Sequence, residues 1–435
     1  MKAIAFSSEC STRLLTRMAR LSAVLLSLGI VACTGASDES DIDFAASSLK
    51  LRPQWVGSWS SSQLPADAMF FEPSATFSNQ TLRQIAHVSI GGMWVRVRLS
   101  NVFGDSELRV GAARVALQSE GASIYPWSNR TLTFDRQSRV TIPIGGEALS
   151  DPVWLRVRAQ SNLAVSIYVP ETTGAPTWHE IGKQTTYVSA EGDFTAAENL
   201  PTAETTEARY WLAGVEVTAP PKTFSVVAFG DSIADGWGST PDANRRWPDY
   251  LSNRLNSGGN RRFGTVGVLN QGMSGNRVVY DFMGPNARDR FDRDVLAQPG
   301  VKYVVMMMGI NDIGLPGAFG IPDQAVGADE IIAGLDELAD RAHGEGLTVY
   351  AGTLTPFEGT TLPGYYTRAG EEKRQAVNAW IRSTDVFDAV LDFDVALRDP
   401  EHPTRLLAEY DSGDHLHPND AGYEAMANAI DLKLF

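Results

Sequence analysis

Serine, histidine and aspartate residues suited to nucleophilic catalysis occur in the second half of the chain. Ser232 follows a glycine and an aspartate directly after an apolar run, and Asp414 lies three residues before His417. A serine hydroxyl is barely ionised at pH 7, so a nucleophilic serine needs a neutral imidazole as its base. The imidazole needs an acceptor on its other nitrogen, and one loop can deliver both Asp414 and His417. The alternative interpretation of residues 414–418 is a capping and turn segment with incidental histidines.

Two further segments contain groups that can stabilise a negative charge. Residues 270–276 (Asn-Gln-Gly-Met-Ser-Gly-Asn) follow an apolar run, and glycines such as Gly275 let the backbone approach a ligand closely. Asn311 lies within residues 309–312 (Gly-Ile-Asn-Asp) after another apolar run, and its uncharged amide can donate to a developing oxyanion. Taken alone, the first segment is typical of a strand-to-helix turn and the second of a common Asn-Asp turn.

The Gly-Asp-Ser motif occurs twice, so the motif by itself is a weak signal. Residues 103–106 (Phe-Gly-Asp-Ser) repeat the letters that end at Ser232. Ser106 is followed by a strand-like run, and no partner segments follow it at matching distances. We therefore predict that Ser106 is a turn residue.

Alternating apolar runs and helical patterns predict the sheet that positions these groups. The apolar runs span residues 224–229, 266–269, 301–308, 347–354 and 386–393, and helical patterns lie near 247–255 and over 331–342. This alternation predicts a parallel sheet with helices on both faces, and active sites in such sheets form at the carboxyl ends of the strands. Pro418 suits the first position of a last helix, which predicts His417 at the helix cap.

The first half of the chain has a different pattern. From residue 52 to 220, short runs with period-two alternation are separated by Gly, Ser, Asn and Pro, which predicts an all-β sandwich or jelly-roll domain. Pro220 and Pro221 mark a stiff boundary to a second domain over residues 221–435. Large aromatics in the β-rich half can stack on sugars or fill the core, and we expect the core for most of them. The candidates are Trp55, Trp59, Trp94 and Trp178.

The N-terminal residues have the pattern of an export signal. Positive residues precede the apolar stretch 21–31, which is too short to span a bilayer permanently. Residues 30–33 (Ile-Val-Ala-Cys) resemble the lipobox of bacterial lipoproteins, which implies cleavage before a lipidated Cys33. We expect a signal peptide over 1–32, a flexible tether over 33–51, and a lipid anchor to the cell envelope, at the outer membrane if the host is Gram-negative. The alternative is an ordinary secretory signal with an incidental Cys33.

Composition and charge narrow the expected partners. The formal net charge of −15 opposes binding to phosphate backbones, so nucleic acid is not an expected partner. The chain has two cysteines. Cys33 would carry the lipid and Cys10 lies inside the signal, so we expect no disulfide and no thiolate metal site. No cluster of His, Asp and Glu has metal-ligand spacing, so we predict neither a metal nor another cofactor. The sequence does not indicate an oligomeric state.

The four segments around Ser232, Gly275, Asn311 and His417 together resemble the SGNH/GDSL hydrolase superfamily in their order and in their position at strand ends. Further short segments resemble a two-domain secreted branch that includes xylan-esterase-like GDSL lipases. These segments are residues 236–240, 246–248, 275–277 and 374–378. The resemblance is specific over residues 224–435 and looser over 52–218.

The resemblance implies a role for each candidate residue. Ser232 would be the nucleophile, His417 the general base and Asp414 its partner. The backbone N–H groups of Ser232 and Gly275, with the side chain of Asn311, would form the oxyanion hole. The implied fold is the flavodoxin-like three-layer SGNH domain. The Gly-x-Ser-x-Gly elbow of α/β-hydrolases is absent around Ser232, which disfavours that fold.

The implied activity is a serine esterase that hydrolyses short-chain esters, acetyl esters on carbohydrate in particular, without a cofactor. Alternatives within the superfamily are an acyltransferase, a lysophospholipase and a thioesterase. A non-enzymatic alternative is a glycan-binding lipoprotein with a vestigial catalytic half.

The remaining histidines are expected to have other roles. His415 lies two residues from His417, and the spacing in the superfamily selects His417 as the base. The other four have no partner pattern, so we predict surface or structurally satisfied residues. They are His87, His179, His343 and His402.

Overall fold

Period-two alternation of apolar residues builds the first half of the molecule from antiparallel strands. The computed structural model of the protein describes residues 54–68, 75–257 and 264–435. The strands of this half are β1 Gln54–Ser60, β2 Gln80–Val88, β3 Gly92–Asn101, β4 Leu108–Val110, β5 Ala112–Glu120, β6 Ser123–Ile124, β7 Arg130–Thr131, β8 Val140–Ile142, β9 Gly146–Leu149, β10 Val153–Val157, β11 Ser161–Val169, β12 Trp178–His179, β13 Thr186–Glu191, β14 Thr202–Thr206, β15 Arg209–Tyr210 and β16 Leu212–Ala219.

Two larger sheets in this half share one apolar core. One sheet has the order β1-β16-β3-β10 with β9 beside β3, and the other has the order β14-β13-β2-β11-β5-β6 with β7 beside β5. Val97 on β3 and Val215 on β16 lie fully buried in the same cluster as Val165 on β11, from the other sheet. Short pairs join β4 to β8 and β12 to β15. The prediction of an all-β region is confirmed.

The second half alternates strands and helices, as the sequence predicted. Its strands are β17 Phe224–Gly230, β18 Val266–Gly272, β19 Val301–Met307, β20 Thr348–Gly352 and β21 Ala389–Leu391. Its helices are α1 Ser232–Asp235, α2 Trp247–Asn256, α3 Ala287–Phe291, α4 Ile310–Ala318, α5 Ala328–Gly344, α6 Arg368–Ser383, α7 Phe393–Leu397 and α8 Asp420–Asn428, and a π-helical turn, Asp292–Leu296, follows α3. Single 3₁₀ turns occur at Pro126–Ser128, Pro322–Gln324 and Leu432–Leu434.

The five strands of this half form one parallel sheet in the order β18-β17-β19-β20-β21. Alternate residues of β17 face opposite sides. Val227 and Phe229 pack in the cluster that contains the apolar face of α5, whereas Val226 and Ala228 pack in the cluster that contains α2 and α8. The prediction of a parallel sheet with helices on both faces is therefore confirmed.

The two halves pack into one compact unit. The backbone N–H of Gly57 on β1 donates to the carbonyl of Pro299 at 2.8 Å, and the Ser225 hydroxyl on β17 donates to the carbonyl of Gly57 at 3.1 Å. A Cβ at Gly267 would lie 2.3 Å from the Gly57 carbonyl oxygen, so the close approach of β1 and β18 requires glycine there. Strand β1 is thus packed directly against the parallel sheet that carries Ser232.

The signal peptide predicted over residues 1–32, the tether over 33–51 and Cys33 lie outside the described residues. Within the described ranges, no helix has the length and apolar character that crossing a bilayer requires.

Candidate active site

Three of the predicted site residues follow three adjacent strands of the parallel sheet. Ser232 is the first residue of α1, two residues beyond the end of β17. Gly275 lies three residues beyond the end of β18, and Asn311 is the second residue of α4, which follows β19. Parallel strands point their carboxyl ends to one edge, so the sheet collects these groups on one side of the molecule.

The loop before α8 brings the histidine to the serine. Ser232 Oγ lies 2.8 Å from His417 Nε2. His417 Nδ1 lies 2.6 Å from Asp414 Oδ2. The other carboxylate oxygen of Asp414 accepts the backbone N–H groups of Leu416 at 2.9 Å and His417 at 2.8 Å. The structure therefore joins Ser232, His417 and Asp414 in one continuous hydrogen-bonded row.

The surroundings of Asp414 favour its ionised form. Burial opposes ionisation and is the largest single influence, but the hydrogen bond and charge of His417, with the two backbone N–H donors, outweigh it. The pKa of Asp414 consequently lies well below its usual range. An ionised Asp414 can hold the Nδ1 proton of His417 and leave Nε2 free to accept a proton from Ser232.

Three potential donors surround the serine hydroxyl. The backbone N–H of Ser232 is at the first position of α1 and has no acceptor within the helix. Gly275 has a positive φ of 73°, a left-handed conformation that favours glycine. Asn311 is buried, and its side-chain NH₂ donates one hydrogen to the carbonyl of Asn276 at 3.0 Å. Because a carboxamide carries two N–H donors, the second remains for a ligand.

Tyr365 fixes the orientation of the Asn311 side chain. The buried Tyr365 hydroxyl donates to Asn311 Oδ1 at 2.8 Å. This bond assigns oxygen to one side of the amide and turns the NH₂ group the other way. Tyr365 could not be predicted from the sequence, because a lone tyrosine 54 residues after the asparagine has no local spacing that signals the contact.

Asp231 caps the helix that begins at the serine. Its Oδ1 accepts the backbone N–H of Ile233 at 3.0 Å, and its side chain is fully buried. Burial, the largest influence, raises the pKa of Asp231 to about 7, against the opposing effects of the Ile233 N–H and the Arg290 charge. Asp231 Oδ2 is buried without a hydrogen-bond partner among the described residues. Asp231 is therefore held in a site that favours a neutral carboxyl.

A cleft of about 470 Å³ opens over the serine and histidine. Its walls are mainly apolar. The lining residues are Ser232, Trp237, Ser274, Gly275, Asn311, Leu315, Phe319, Thr360, Thr361, Leu362, Tyr365, Asp414, Leu416 and His417. This volume falls in the usual range for small-molecule sites.

Trp237 supports the histidine from the side. Its ring centroid lies 5.6 Å from that of His417, at an interplanar angle of 43°. The Tyr423 hydroxyl on α8 donates to the carbonyl of Trp237 at 2.5 Å. The loop after α1 and the last helix are therefore tied together beside the imidazole.

The predicted start of the last helix was wrong. Helix α8 begins at Asp420, and its cap is Asn419, whose side chain accepts the backbone N–H of Gly422 at 3.0 Å. Pro418 instead forms an isolated bridge with Asp411. His417 thus lies in the loop before the cap. Asn419 determines where the helix begins, because its side chain accepts a free backbone N–H of the first turn and a proline side chain has no acceptor.

His415 does not approach the serine. Its backbone has a φ of 60°, its side chain is 51% exposed, and its Nδ1 contacts Asp411 Oδ2.

Ser106, in the other Gly-Asp-Ser motif, lies in an exposed bend between β3 and β4, where its hydroxyl accepts the backbone N–H of Gly174 at 3.2 Å. Ser106 is therefore in a turn, as predicted.

The tryptophans of the β-rich half divide between core and surface. Trp59 and Trp178 are buried, and Trp55 is half-buried with the Arg96 guanidinium 4.3 Å from its ring centroid. Trp94 is exposed and lies opposite Trp154, which is also exposed, on the neighbouring strand β10.

In the described part of the chain, no group of three or more His, Cys, Asp or Glu residues is arranged to hold a metal ion.

Solved structures of esterases and lipases are similar to about half of this chain. A carbohydrate acetylesterase family member from Sinorhizobium meliloti shares 18% identity over 49% of this chain and 97% of its own, with a TM-score of 0.39. The aryl esterase of M. smegmatis shares 18% over 48% and 96%, with a TM-score of 0.36. A GDSL-like lipase from Bacteroides thetaiotaomicron VPI-5482 shares 21% over 47% and 84%, with a TM-score of 0.36.

The family comparison covers the parallel-sheet half. No curated protein matches this chain. Residues 228–425 match the model of the GDSL-like Lipase/Acylhydrolase family, and that range includes the serine, the glycine loop, the asparagine and the histidine described above. Residues 228–425 therefore form a GDSL-like lipase/acylhydrolase domain, which confirms the resemblance predicted for this half of the chain and indicates a carboxylic ester hydrolase.

Proposed function

We propose that this protein is a serine esterase that removes short acyl groups, acetyl in particular, from carbohydrate esters. Ser232 is the proposed nucleophile, His417 the general base, and Asp414 the residue that orients the base. The observation that carries this proposal is the row of contacts from Ser232 Oγ through the imidazole to the Asp414 carboxylate, at 2.8 and 2.6 Å, at one end of an apolar cleft.

The reaction proceeds in two steps through an acyl-enzyme. Ser232 Oγ attacks the ester carbonyl carbon while His417 Nε2 takes the hydroxyl proton. The bond from carbonyl carbon to alcohol oxygen then breaks, and Nε2 gives that proton to the departing alcohol. A water molecule repeats the attack on the acyl group, with Nε2 as base, and Ser232 is released with the proton restored.

The proposed oxyanion hole consists of the backbone N–H groups of Ser232 and Gly275 and the free N–H of Asn311. These donors are fixed before the reaction, because Tyr365 orients the amide and α1 fixes the Ser232 backbone. Preorganised donors stabilise charge that develops only in the transition state, and one such donor typically contributes about 3 kcal/mol.

The cleft supports a substrate with an apolar acyl group and a larger alcohol. Leu315, Phe319, Leu362 and Leu416 line its walls with apolar side chains. These residues suit the acyl portion of an ester, which makes no hydrogen bonds beyond its carbonyl. The volume of about 470 Å³ exceeds what an acetyl group alone would fill, so the remaining space accommodates the alcohol portion.

Ester hydrolysis tests this proposal directly. Rates would be measured on p-nitrophenyl esters from acetate to decanoate, with Ser232→Ala as the inactive control, and acetate release would be measured from a panel of O-acetylated polysaccharides. We expect the highest kcat/KM on the shortest esters, and acetate release from at least one polysaccharide. Activity confined to long chains would favour a lysophospholipase or thioesterase instead. Transfer to an added alcohol in preference to water would indicate an acyltransferase, and binding without hydrolysis a glycan-binding protein.

Two finer assignments belong to this proposal. The strand order of the parallel sheet, 2-1-3-4-5 along the chain, supports the flavodoxin-like class for residues 221–435, with residues 52–220 as an accessory β-sandwich domain. Export with lipid attachment at Cys33 is supported by the lipobox-like residues 30–33. Cell fractionation of the full chain and of Cys33→Ala tests the anchor, since loss of the lipid would move the protein from the membrane to the soluble fraction.

A further inference from the structure

A buried row of hydrogen bonds runs from the β-rich half to the loop that carries Gly275. His179 on β12 contributes Nε2, which lies 2.9 Å from Asp235 Oδ1 on α1. The other oxygen of Asp235 accepts the Ser274 hydroxyl at 2.8 Å and the Ser274 backbone N–H at 3.2 Å. The exposed fractions of these three residues are 4%, 3% and 7%, so water does not replace these contacts easily.

A second contact holds the same loop at its other end. The Ser62 hydroxyl donates to the carbonyl of Gly272 at 2.5 Å, and Ser62 Oγ also lies 3.2 Å from His179 Nδ1. A Cβ at Gly272 would lie 2.2 Å from the backbone nitrogen of Asp235, so only glycine allows this loop to lie directly on α1. Residues from the β-rich half therefore contact both the start of the loop and, through Asp235, its centre.

The loop that is held in this way carries Gly275 and contacts both Asn311 and the helix that begins at Ser232. Gly275 follows Ser274 directly, and Asp235 lies on the same short helix as Ser232. One residue further on, the carbonyl of Asn276 accepts the side-chain N–H of Asn311. A shift of Ser274 would consequently move Gly275 relative to Ser232 and Asn311.

We propose that His179 is a positioning residue for ester hydrolysis, which acts through Asp235 and Ser274 to hold the Gly275 N–H where the oxyanion forms. This inference rests on the proposed function. It assigns the β-rich half a direct part in the active site, in addition to any role in binding substrate. It also distinguishes His179 from His87, the other histidine of that half, whose ring nitrogens contact Asn162 and Gln160 of the same half.

The first test compares His179→Gln with His87→Gln. Both variants replace a histidine of the β-rich half by a neutral amide, but only the first replaces the imidazole that contacts Asp235 with a flexible side chain. We expect kcat for p-nitrophenyl acetate to fall about tenfold in His179→Gln with little change in KM, because a displaced donor weakens transition-state binding and leaves ground-state binding intact. We expect His87→Gln to retain the wild-type kcat. An equal loss in both variants would overturn the proposal.

A reversible trifluoromethyl ketone provides a readout that a general loss of stability would not change. The hydroxyl of Ser232 adds to such a ketone and places an oxyanion in the proposed hole. We expect its inhibition constant to rise in His179→Gln by the same factor as kcat/KM falls. An unchanged inhibition constant in a folded variant would contradict a positioning role.

Ser274→Ala tests the same row without disturbing the imidazole, and it serves if His179→Gln fails to fold. We expect a smaller loss of kcat, and no further loss when it is combined with His179→Gln, because both changes interrupt one route. Full additivity, or wild-type kcat in Ser274→Ala, would refute the route. If wild-type hydrolysis depends on Ser232 while these variants remain fully active, only this inference fails. If wild type shows no Ser232-dependent hydrolysis, both it and the proposed function fail.

Discussion

The chain contains the tetrapeptide Phe-Gly-Asp-Ser twice, and the two copies have opposite surroundings. Residues 103–106 form a turn and bend between β3 and β4, where the exposed Ser106 accepts the backbone N–H of Gly174. Residues 229–232 end a buried parallel strand and begin a helix, and Ser232 contacts His417. The tetrapeptide can therefore form a catalytic site only where the surrounding strands and helices bring partner side chains to its serine.

The connection after each copy explains the difference. The turn after β3 leads into β4, which pairs with β8, and the group that reaches the Ser106 hydroxyl is the backbone N–H of Gly174. A parallel strand must be followed by a crossover, so β17 is flanked by β18 and β19, and the segments after all three strands meet at one edge. The second copy therefore receives Gly275 and Asn311 as neighbours, and the loop before α8 adds His417, whereas the first copy contacts Gly174.

Replacing the serine of each tetrapeptide gives the largest expected difference between the two copies. Ser232→Ala should lower kcat/KM for p-nitrophenyl acetate by roughly 10⁴-fold or more, because the nucleophile is removed. Ser106→Ala should leave kcat/KM unchanged, since its hydroxyl contacts only a backbone N–H at the surface. Steady-state hydrolysis by both purified variants checks this pair. A substantial loss in Ser106→Ala would mean that the β-rich copy takes part in the reaction.

The second largest expected effect concerns Asp414, the carboxylate that contacts His417 beside Ser232. Asp414→Asn should lower kcat on the order of 10³- to 10⁴-fold, since an amide cannot hold the Nδ1 proton and the imidazole adopts the wrong tautomer. Asp411→Asn is the matched control, because Asp411 lies in the same loop and contacts His415 instead. Steady-state kcat is the measurement for both. Similar losses in the two variants would indicate that the loop as a whole, and not the Asp414 contact, supports catalysis.

A smaller effect concerns the oxyanion donor. Tyr365→Phe removes the hydroxyl that orients Asn311 and should lower kcat roughly tenfold to a hundredfold, with KM little changed. Tyr366→Phe changes the adjacent residue, whose ring packs against Phe357 at a centroid distance of 5.0 Å, and should retain wild-type kcat. The same assay separates kcat from KM. A rise in KM alone would show that Tyr365 serves substrate binding and not the orientation of the amide.

Much of the fold and of the site could be predicted from the sequence because the signals are local. The apolar run before Ser232 ends where β17 ends, and the apolar spacing over 331–342 corresponds to the buried face of α5. Asp414 and His417 are three positions apart and therefore lie in one loop, which contacts Ser232 through His417.

The contacts that could not be predicted join residues far apart in the chain. Tyr365 meets Asn311 across 54 positions, and His179 meets Asp235 across 56, from the other half of the molecule. No periodicity records such a pair, because each residue belongs to a different element and only tertiary packing brings them together. The error at Pro418 has the opposite origin. Proline suits the first turn of a helix, but the adjacent Asn419 is the better capping residue and α8 begins after it.

The smallest effect returns to the aspartates of the two tetrapeptides. Asp231 is buried and its pKa is raised to about 7, whereas Asp105 is exposed. Between about pH 4 and pH 7 the unfolded chain ionises Asp231 while the folded protein keeps it protonated, so its contribution to stability is present at low pH and is lost as pH rises through this window. Asp231→Asn keeps the cap and removes the titration, since asparagine caps helices as well as aspartate does.

We therefore expect Asp231→Asn to raise the free energy of unfolding at pH 8 on the order of 1 kcal/mol, and to change it little at pH 4. Urea unfolding of wild type and variant at both pH values measures the difference. Asp105→Asn should leave the free energy of unfolding the same as in wild type at each pH, because an exposed carboxylate stays hydrated in both states. If Asp231→Asn is destabilising at pH 8, the carboxylate is stabilised as an ion in the folded protein, and the contrast between the two tetrapeptides does not extend to their aspartates.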